Sequence, residues 1–388
     1  MSVTSPSTPY IYAELLVNIR QLTIYASLDS IRNDATKVEL SSDRETITLS
    51  HDGRSATIHL PTKVGGTAAL ELPQAATKDL SFRLQIAEKD EPLFTRDLLV
   101  ASSDERAPWP AGSLTADTEV CCRQCDQAFI QAGTIKTWKD LPSENWAEMM
   151  DFWHCHKPHD HGHQQSENTG PSATKGYSAS NKLVAQSQTG FLDTCHFLFT
   201  SQDCVGVEFQ SSATDGRTAQ ELVCSCCNGI IGVVDERAEG WRLFKWALAV
   251  RKRPGEQKES HAIEGFIAAQ MLALIDSQAV RKFVVHCKGL AGPASALLCW
   301  VFTPDLRYSA STKAEGPQRA MKVFFKTLQN PENVLAEQNM SVEEIYLPLN
   351  AFLAVHEALE SSNSLLPVSA QRFQDWCVGL LDRFDRVS

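Results

Sequence analysis

No stretch of the 388-residue chain approaches the run of roughly 18 apolar residues that a membrane-spanning helix needs. An apolar leader is missing too: Met1 to Pro9 is rich in Ser, Thr and Pro, so no export signal is expected. Positive charge is in deficit, and a net charge of −11 argues against a broad phosphate-binding surface. Arg251-Lys252-Arg253 is a local basic patch, read as a solvated turn before Pro254-Gly255. Neither a membrane nor a direct nucleic-acid partner is expected. Common catalytic signatures are missing as well. There is no Walker loop, no G-x-G-x-x-G after a strand, no H-E-x-x-H and no G-x-S-x-G elbow. Gly289 to Gly292 follows an expected strand but lacks the lysine or third glycine of a phosphate loop. A conventional kinase, dehydrogenase or hydrolase is therefore unsupported.

What the chain does have is cysteine, 12 residues of it. Without an export signal these thiols are expected in a reducing compartment, cytoplasmic and/or nuclear, where they stay free for metal. Two pairs have ligand spacing: Cys122-Arg-Gln-Cys125 and Cys224-Ser-Cys-Cys227. A C-x-x-C turn grips an ion from one side, and two such turns complete the four-thiolate tetrahedron of structural zinc. Asn228-Gly229 after the second pair suits the φ > 0 position of such a knuckle. The pairs are separated by 98 residues, 126–223, so a shared zinc ties together distant parts of the chain. Ordinary thiols, or two separate sites, are the alternatives. Cys121 and Cys226 are the wrong-register candidates.

Patterning predicts an α+β chain in three parts: a β-rich domain over 1–101, a zinc-binding module over 113–235 and a mixed α/β domain over 236–388. Val38 to Leu40, Thr46 to Leu49 and Ala56 to Leu60 alternate apolar and polar, with Asp52-Gly53 as a hairpin signal. Strands are also expected at Ala68 to Leu72 and Leu80 to Ile86, giving an antiparallel sandwich or open barrel. His51 and His59 are read as structural. Ser102 to Gly112 is a plausible linker. In the last part, Trp241 to Val250, Lys282 to Cys287, Ala296 to Thr303 and Met321 to Lys326 read as strands. His261 to Ala279, Pro348 to Leu359 and Ala370 to Phe384 read as helices, the last capped by Ser369.

Ser143 caps a predicted helix whose apolar face is Trp146, Met149, Met150 and Trp153. It runs into five histidines and a cysteine within ten residues, 154–163, and then into a polar loop at about 159–188. His159, His161 and His163 are read as solvated. Cys155, between His154 and His156, has three open roles. A nearby imidazolium would favour the thiolate that attacks a thioester. Cys155 or His156 could instead be a further metal ligand. The negative end of the helix dipole disfavours an anion there and leaves a structural thiol as the third role.

The chain resembles the HECT-like family that binds ubiquitin-conjugating enzymes. The resemblance rests on Cys121-Cys122-Arg123-Gln124-Cys125, Leu141-Pro142-Ser143-Glu144-Asn145-Trp146 and Trp153-His154-Cys155-His156. It continues through Thr189-Gly190-Phe191-Leu192-Asp193, Cys224-Ser225-Cys226-Cys227 with Gly232, and Leu366-Pro367-Val368-Ser369. Tyr12-Ala13-Glu14-Leu15-Leu16 with Asn18-Ile19-Arg20 extends it towards the amino terminus. The resemblance implies a protein that binds a ubiquitin-charged conjugating enzyme and promotes ubiquitin transfer. Through fungal relatives it also implies a zinc-containing factor that holds the mRNA 3′-end cleavage endonuclease. One departure stands out: a HECT ligase carries its thioester cysteine in a late loop, whereas the only late cysteine here, Cys377, lies in a predicted buried helix.

Overall fold

The computed structural model describes residues 9–65, 77–86, 107–141, 183–211, 220–287, 296–313, 316–336 and 341–385. The chain divides into two units: Met1–Pro108 with Ala262–Ser388, and Trp109–His261. The protein is mostly β, with three α-helices among the described residues.

The first unit is built around one nine-stranded sheet that draws on both ends of the chain. Its centre is the long strand Ala296–Ala310. One edge of that strand pairs with Gln318–Leu328. The other edge takes two partners in succession: Lys282–His286 beside Ala296 to Trp300, and Tyr10–Leu16 beside Leu306 to Ala310. The register shifts between Val301 and Leu306, where Pro304 has no N–H for a ladder, and there the edge changes partner. Tyr10–Leu16 is buried on both faces. Ile11, Ala13 and Leu15 pack into one cluster with Leu22, Ile24 and Leu80, while Tyr10 and Tyr12 join Leu306, Tyr308 and Leu380 on the other side. A strand buried this way needs partners on both edges, and Gln21–Ser27 supplies the second. Tyr10–Leu16, Gln21–Ser27 and Asp79–Leu84 therefore extend the sheet of the carboxyl-terminal segment. Lys37–Leu40, Thr46–His51 and Arg54–His59 form a separate three-stranded sheet, whose Ile47, Leu49 and Ile58 pack into the same cluster as Ile11, Leu22 and Leu80. The expected sandwich or open barrel is thus shared between the two ends of the chain.

The expected hairpin is present as Thr46–His51 and Arg54–His59. Asp52 (φ 46°) and Gly53 (φ 80°) both adopt the left-handed geometry that a two-residue turn requires. His51 is buried, and the Ser30 and Thr36 hydroxyls each lie 2.8 Å from one of its ring nitrogens, so its role is structural. Helices Ile263–Gln278 and Leu349–Asn363 fall where their periodicity predicts them.

The closing helix does not form. Residues 370–384 hold strands Arg372–Phe373 and Trp376–Asp382, and Ser369 lies inside the 3-10 turn Val368–Ala370. Trp376–Asp382 pairs with Gln318–Leu328, and Gly379 explains the choice. A Cβ at Gly379 would lie 2.8 Å from the Leu359 carbonyl, so the bare strand backbone is what the helix Leu349–Asn363 packs against. Cys377 is thus a strand residue, and no helix-rich carboxyl-terminal domain is found among the described residues.

The second unit has a seven-stranded sheet, running in order from Val207–Ser211 through Gln220–Cys224, Ile230–Asp235, Gly240–Phe244, His196–Phe199 and Thr189–Leu192 to Thr137–Asp140. Beside it is a three-stranded sheet of Leu248–Arg251, Glu119–Cys122 and Ala128–Ile130. The strand expected over Trp241 to Val250 is broken by the 3-10 turn Lys245–Ala247, because Leu248 crosses to the smaller sheet and pairs with Cys122.

The polar loop expected at about 159–188 falls mostly outside the described residues, but its last part is built into this unit. The Ala185 N–H donates to the Ala238 carbonyl at 2.7 Å. The Gln188 N–H donates to Asp203 Oδ2 at 2.9 Å, and the Gln188 carbonyl accepts from Lys136 at 2.9 Å. Asp203 is buried and also receives the Thr200 hydroxyl at 2.7 Å. Asp203→Ala would strand these donors, so a loss of about 2 kcal/mol is expected in urea unfolding. An unchanged midpoint would show that water replaces the carboxylate without cost.

Candidate metal centre

The two C-x-x-C turns adopt the same backbone path. In the first, strand Glu119–Cys122 runs into the turn and Ala128–Ile130 leaves it. The Asp126 N–H donates to the Cys122 carbonyl at 3.1 Å, and the Cys122 N–H donates to the Gln127 carbonyl at 2.8 Å. In the second, Gln220–Cys224 enters and Ile230–Asp235 leaves. The Asn228 N–H donates to the Cys224 carbonyl at 2.9 Å, and the Cys224 N–H donates to the Gly229 carbonyl at 3.0 Å. The residue after each pair takes positive φ, 64° at Asp126 and 56° at Asn228. Asp and Asn tolerate this region better than other side chains. Gly229 does not take positive φ, and a Cβ there would meet Cys227 Sγ at 3.5 Å, an ordinary contact, and the flexible Gln124 side chain at 3.3 Å.

This path turns amides toward sulfur. The N–H groups of Gln124 and Cys125 point at the Cys122 thiol, and those of Cys226 and Cys227 at the Cys224 thiol. The four ligand sulfurs converge, all within 4.8 Å of one another. Cys122 and Cys227 are 3.6 Å apart, and Cys125 and Cys224 are 3.5 Å apart. Sulfurs bound at about 2.3 Å around a tetrahedral ion are about 3.8 Å from each other, so the donor set fits a metal ion with small adjustment. Burial pushes the Cys122 thiol up to about 12, while the Gln127 N–H pulls Cys125 down to about 7. Binding a cation here releases protons, so affinity falls in acid.

Neither wrong-register cysteine joins the cluster. Cys121 is buried in the strand, opposite Ala128 and Ala249. Cys226 is exposed at the tip of its turn. Gly206 (φ 64°) passes between the knuckles: its carbonyl accepts the Ser225 N–H at 3.0 Å, and a Cβ on it would meet the Gln127 side chain at 2.6 Å. Cys155 and His156, the candidate nucleophile and alternative ligands, lie outside the described residues, as does the predicted helix from Ser143 to Trp153.

A second polar centre is not legible in the sequence. Asp193 closes the turn between Thr189–Leu192 and His196–Phe199, accepting the N–H groups of Cys195 (2.8 Å) and His196 (2.6 Å). It also lies 3.0 Å from His196 Nδ1 and 3.0 Å from an Arg242 guanidinium nitrogen. Burial alone would raise this carboxyl's pKa, but His196 and Arg242 hold it well below the usual carboxylate range. Lys245 is buried nearby, over the Phe197 ring at 5.3 Å, and burial lowers its ammonium to about 8 against the pull of Asp193. The first knuckle carries a further signal in its sequence: Asp126 follows its pair at the offset where Asn228 follows the other.

Comparison with known proteins places these features in a family. The model of HECT-like ubiquitin-conjugating enzyme (E2)-binding proteins matches residues 14–378. An uncharacterised protein of Schizosaccharomyces pombe is 30% identical over 305 residues, covering 74% of this chain and 81% of its own. An uncharacterised protein of Saccharomyces cerevisiae is 24% identical, covering 78% of this chain and 79% of its own. An E3 ubiquitin-protein ligase of Rattus norvegicus, of type D, is 22% identical, covering 66% of this chain and 69% of its own. With both knuckles inside a match that takes in most of its length, the chain belongs to the HECT-like, E2-binding family and has a role in the ubiquitin pathway.

Proposed function

We propose that the protein binds a ubiquitin-charged conjugating enzyme and promotes ubiquitin transfer to client proteins, with a structural zinc ion at Cys122, Cys125, Cys224 and Cys227. The observation that carries the first part is the family match over residues 14–378, supported by similarity to a ubiquitin ligase. The donor set carries the second: four cysteine sulfurs within 4.8 Å of one another suit four-coordinate zinc, and as four ligands they would leave no position open for substrate. Zinc at this site ties the two sheets of one unit together and takes no part in transfer.

Two routes to transfer are distinguishable. In one, a cysteine thiolate attacks the thioester carbonyl of the charged enzyme. The new sulfur–carbon bond holds ubiquitin, and the enzyme's own cysteine leaves as thiolate. Cys155 is the proposed acceptor. Cys204 and Cys299 are poor candidates, because burial pushes both thiols up to about 12. In the other route the protein only positions the charged enzyme. Incubation with charged conjugating enzyme and non-reducing electrophoresis separates them. A thiol-sensitive ubiquitin adduct on wild type that disappears in Cys155→Ala supports the acceptor. Full transfer by Cys155→Ala removes it and leaves positioning, and binding of no conjugating enzyme overturns the reading altogether.

A further inference from the structure

The unit Trp109–His261 interrupts the other in sequence, so the chain enters it at Trp109 and leaves it after His261. These two end residues meet. The Trp109 indole and the His261 imidazole have ring centroids 5.0 Å apart. Trp109 is buried, stacks on Phe197 at 6.1 Å and donates its indole N–H to Glu259 Oε2 at 3.1 Å. Between Pro108 and Pro110 its backbone takes φ 60°, a region costly for a bulky side chain, so these contacts are what hold it there. Glu259 is fixed in turn. It exchanges backbone hydrogen bonds of 2.8 and 2.9 Å with Val250, and its carboxylate lies 3.2 Å from Lys252 Nζ. Entry and exit are thus clasped together by residues of this unit alone.

The first knuckle grips the same exit segment. Arg123 stands between Cys122 and Cys125, and its guanidinium donates to the His261 carbonyl at 2.9 Å and to the Trp246 carbonyl at 3.3 Å. Its backbone N–H donates to the Ala247 carbonyl at 3.0 Å. Asp126, directly after Cys125, pairs with Lys258 at 2.9 Å. Positions 123 and 126 therefore hold the exit at 261 and 258, and the stronger hold is the charge-assisted bond from Arg123. An ion held by Cys122 and Cys125 fixes the turn from which both grips extend. An energetic link between two sites acts equally in both directions. A metal ion that steadies the clasp is therefore itself retained by it.

We infer that the first knuckle and the clasped ends of this unit form one coupled latch, with Arg123 as the positioning residue that ties metal retention to closure of the chain's entry and exit. This rests on the reading that the four cysteines hold zinc, and the experiment keeps the two separate. The full chain is prepared with zinc as wild type, Trp109→Phe, Arg123→Gln and the double variant, and zinc transfer to a chromogenic chelator is timed. Trp109→Phe removes the indole N–H that closes the clasp and alters no ligand. The expected result is release at least about fivefold faster from each single variant, and release from the double variant no faster than from the faster single one. Once Arg123 is gone, opening the clasp has no route to the metal. Two variants that merely loosen the unit independently would instead multiply. A double variant whose acceleration is the product of the single ones overturns the inference alone, as does Trp109→Phe releasing zinc at the wild-type rate. Wild-type protein that holds no zinc overturns the zinc reading and this inference with it. If Trp109→Phe fails to fold, Glu259→Ala, which takes the acceptor from the indole at an exposed position, opens the same clasp and is judged by the same outcomes.

Discussion

Cys224→Ser is expected to abolish binding at the proposed zinc site and unfold the unit Trp109–His261. The sulfur lies at the end of strand Gln220–Cys224, within the four-sulfur cluster, and its partners Cys122 and Cys125 come from the other sheet of the same unit and the turn that follows it. Free energy of metal binding is in large part folding free energy, on the order of 10 kcal/mol for structural zinc. Loss of one of four ligands should therefore lower the melting temperature by about 10 °C or more and bring zinc in the purified protein well below one equivalent. Cys226→Ser is the control, because that thiol is exposed and outside the cluster, and it should keep both. Stoichiometric zinc and unchanged melting in Cys224→Ser would show that the cluster is a set of neutral thiols. Acid should mimic the ligand loss: as pH falls, protons compete for all four sulfurs, and zinc release into a chromogenic chelator should rise.

Gly232→Ala is expected to destabilise the same unit by a different cause. A Cβ at this position would lie 2.2 Å from the Arg242 carbonyl oxygen and 3.0 Å from the Leu243 Cα, both backbone atoms of the paired strand. Side chains can rotate away from such a clash, but a paired strand cannot without losing its ladder. Overpacking typically costs about 1–3 kcal/mol, and this placement belongs at or above the upper end. Urea unfolding that matches wild type would mean that the two strands separate locally at little cost. Gly190→Ala is the useful comparison, since its new Cβ would meet the Trp138 ring at 2.5 Å, a side chain able to give way.

These glycines show which parts of the structure local sequence discloses. Cysteine spacing announces the knuckle-shaped turn because all of its geometry lies within six residues. Asp52-Gly53 announces its hairpin for the same reason. Gly190 and Gly232 stand inside the family motifs, but their purpose depends on strands that close over them from elsewhere in the chain. The last segment reads as a helix because Val378, Leu380 and Leu381 suit either period. Only the free edge of Gln318–Leu328 and the carbonyl of Leu359 decide between them. Likewise, nothing near Tyr12 or Tyr10 indicates that their strand pairs with residues 306–310. Each half of that ladder is an ordinary strand until the other is known.

That ladder has a consequence for the nascent chain. Tyr10–Leu16 leaves the ribosome 294 residues, 17–310, ahead of the last residue of its partner Ala296–Ala310. At about 5–20 residues per second, its edge waits roughly 15–60 s for that partner. During this interval the whole unit with the four-cysteine cluster is synthesised and able to close, whereas the earlier strands present an unpaired edge flanked by apolar residues. Such an edge invites pairing with another chain. The inserted unit matures first, and the unit that encloses it in sequence is completed only when the final strand, Trp376–Asp382, has emerged. Premature termination between the end of the inserted unit and that strand thus yields a polypeptide whose cysteine knuckles are intact while its largest sheet is incomplete, a product that cellular quality control would meet as a half-finished β-sheet.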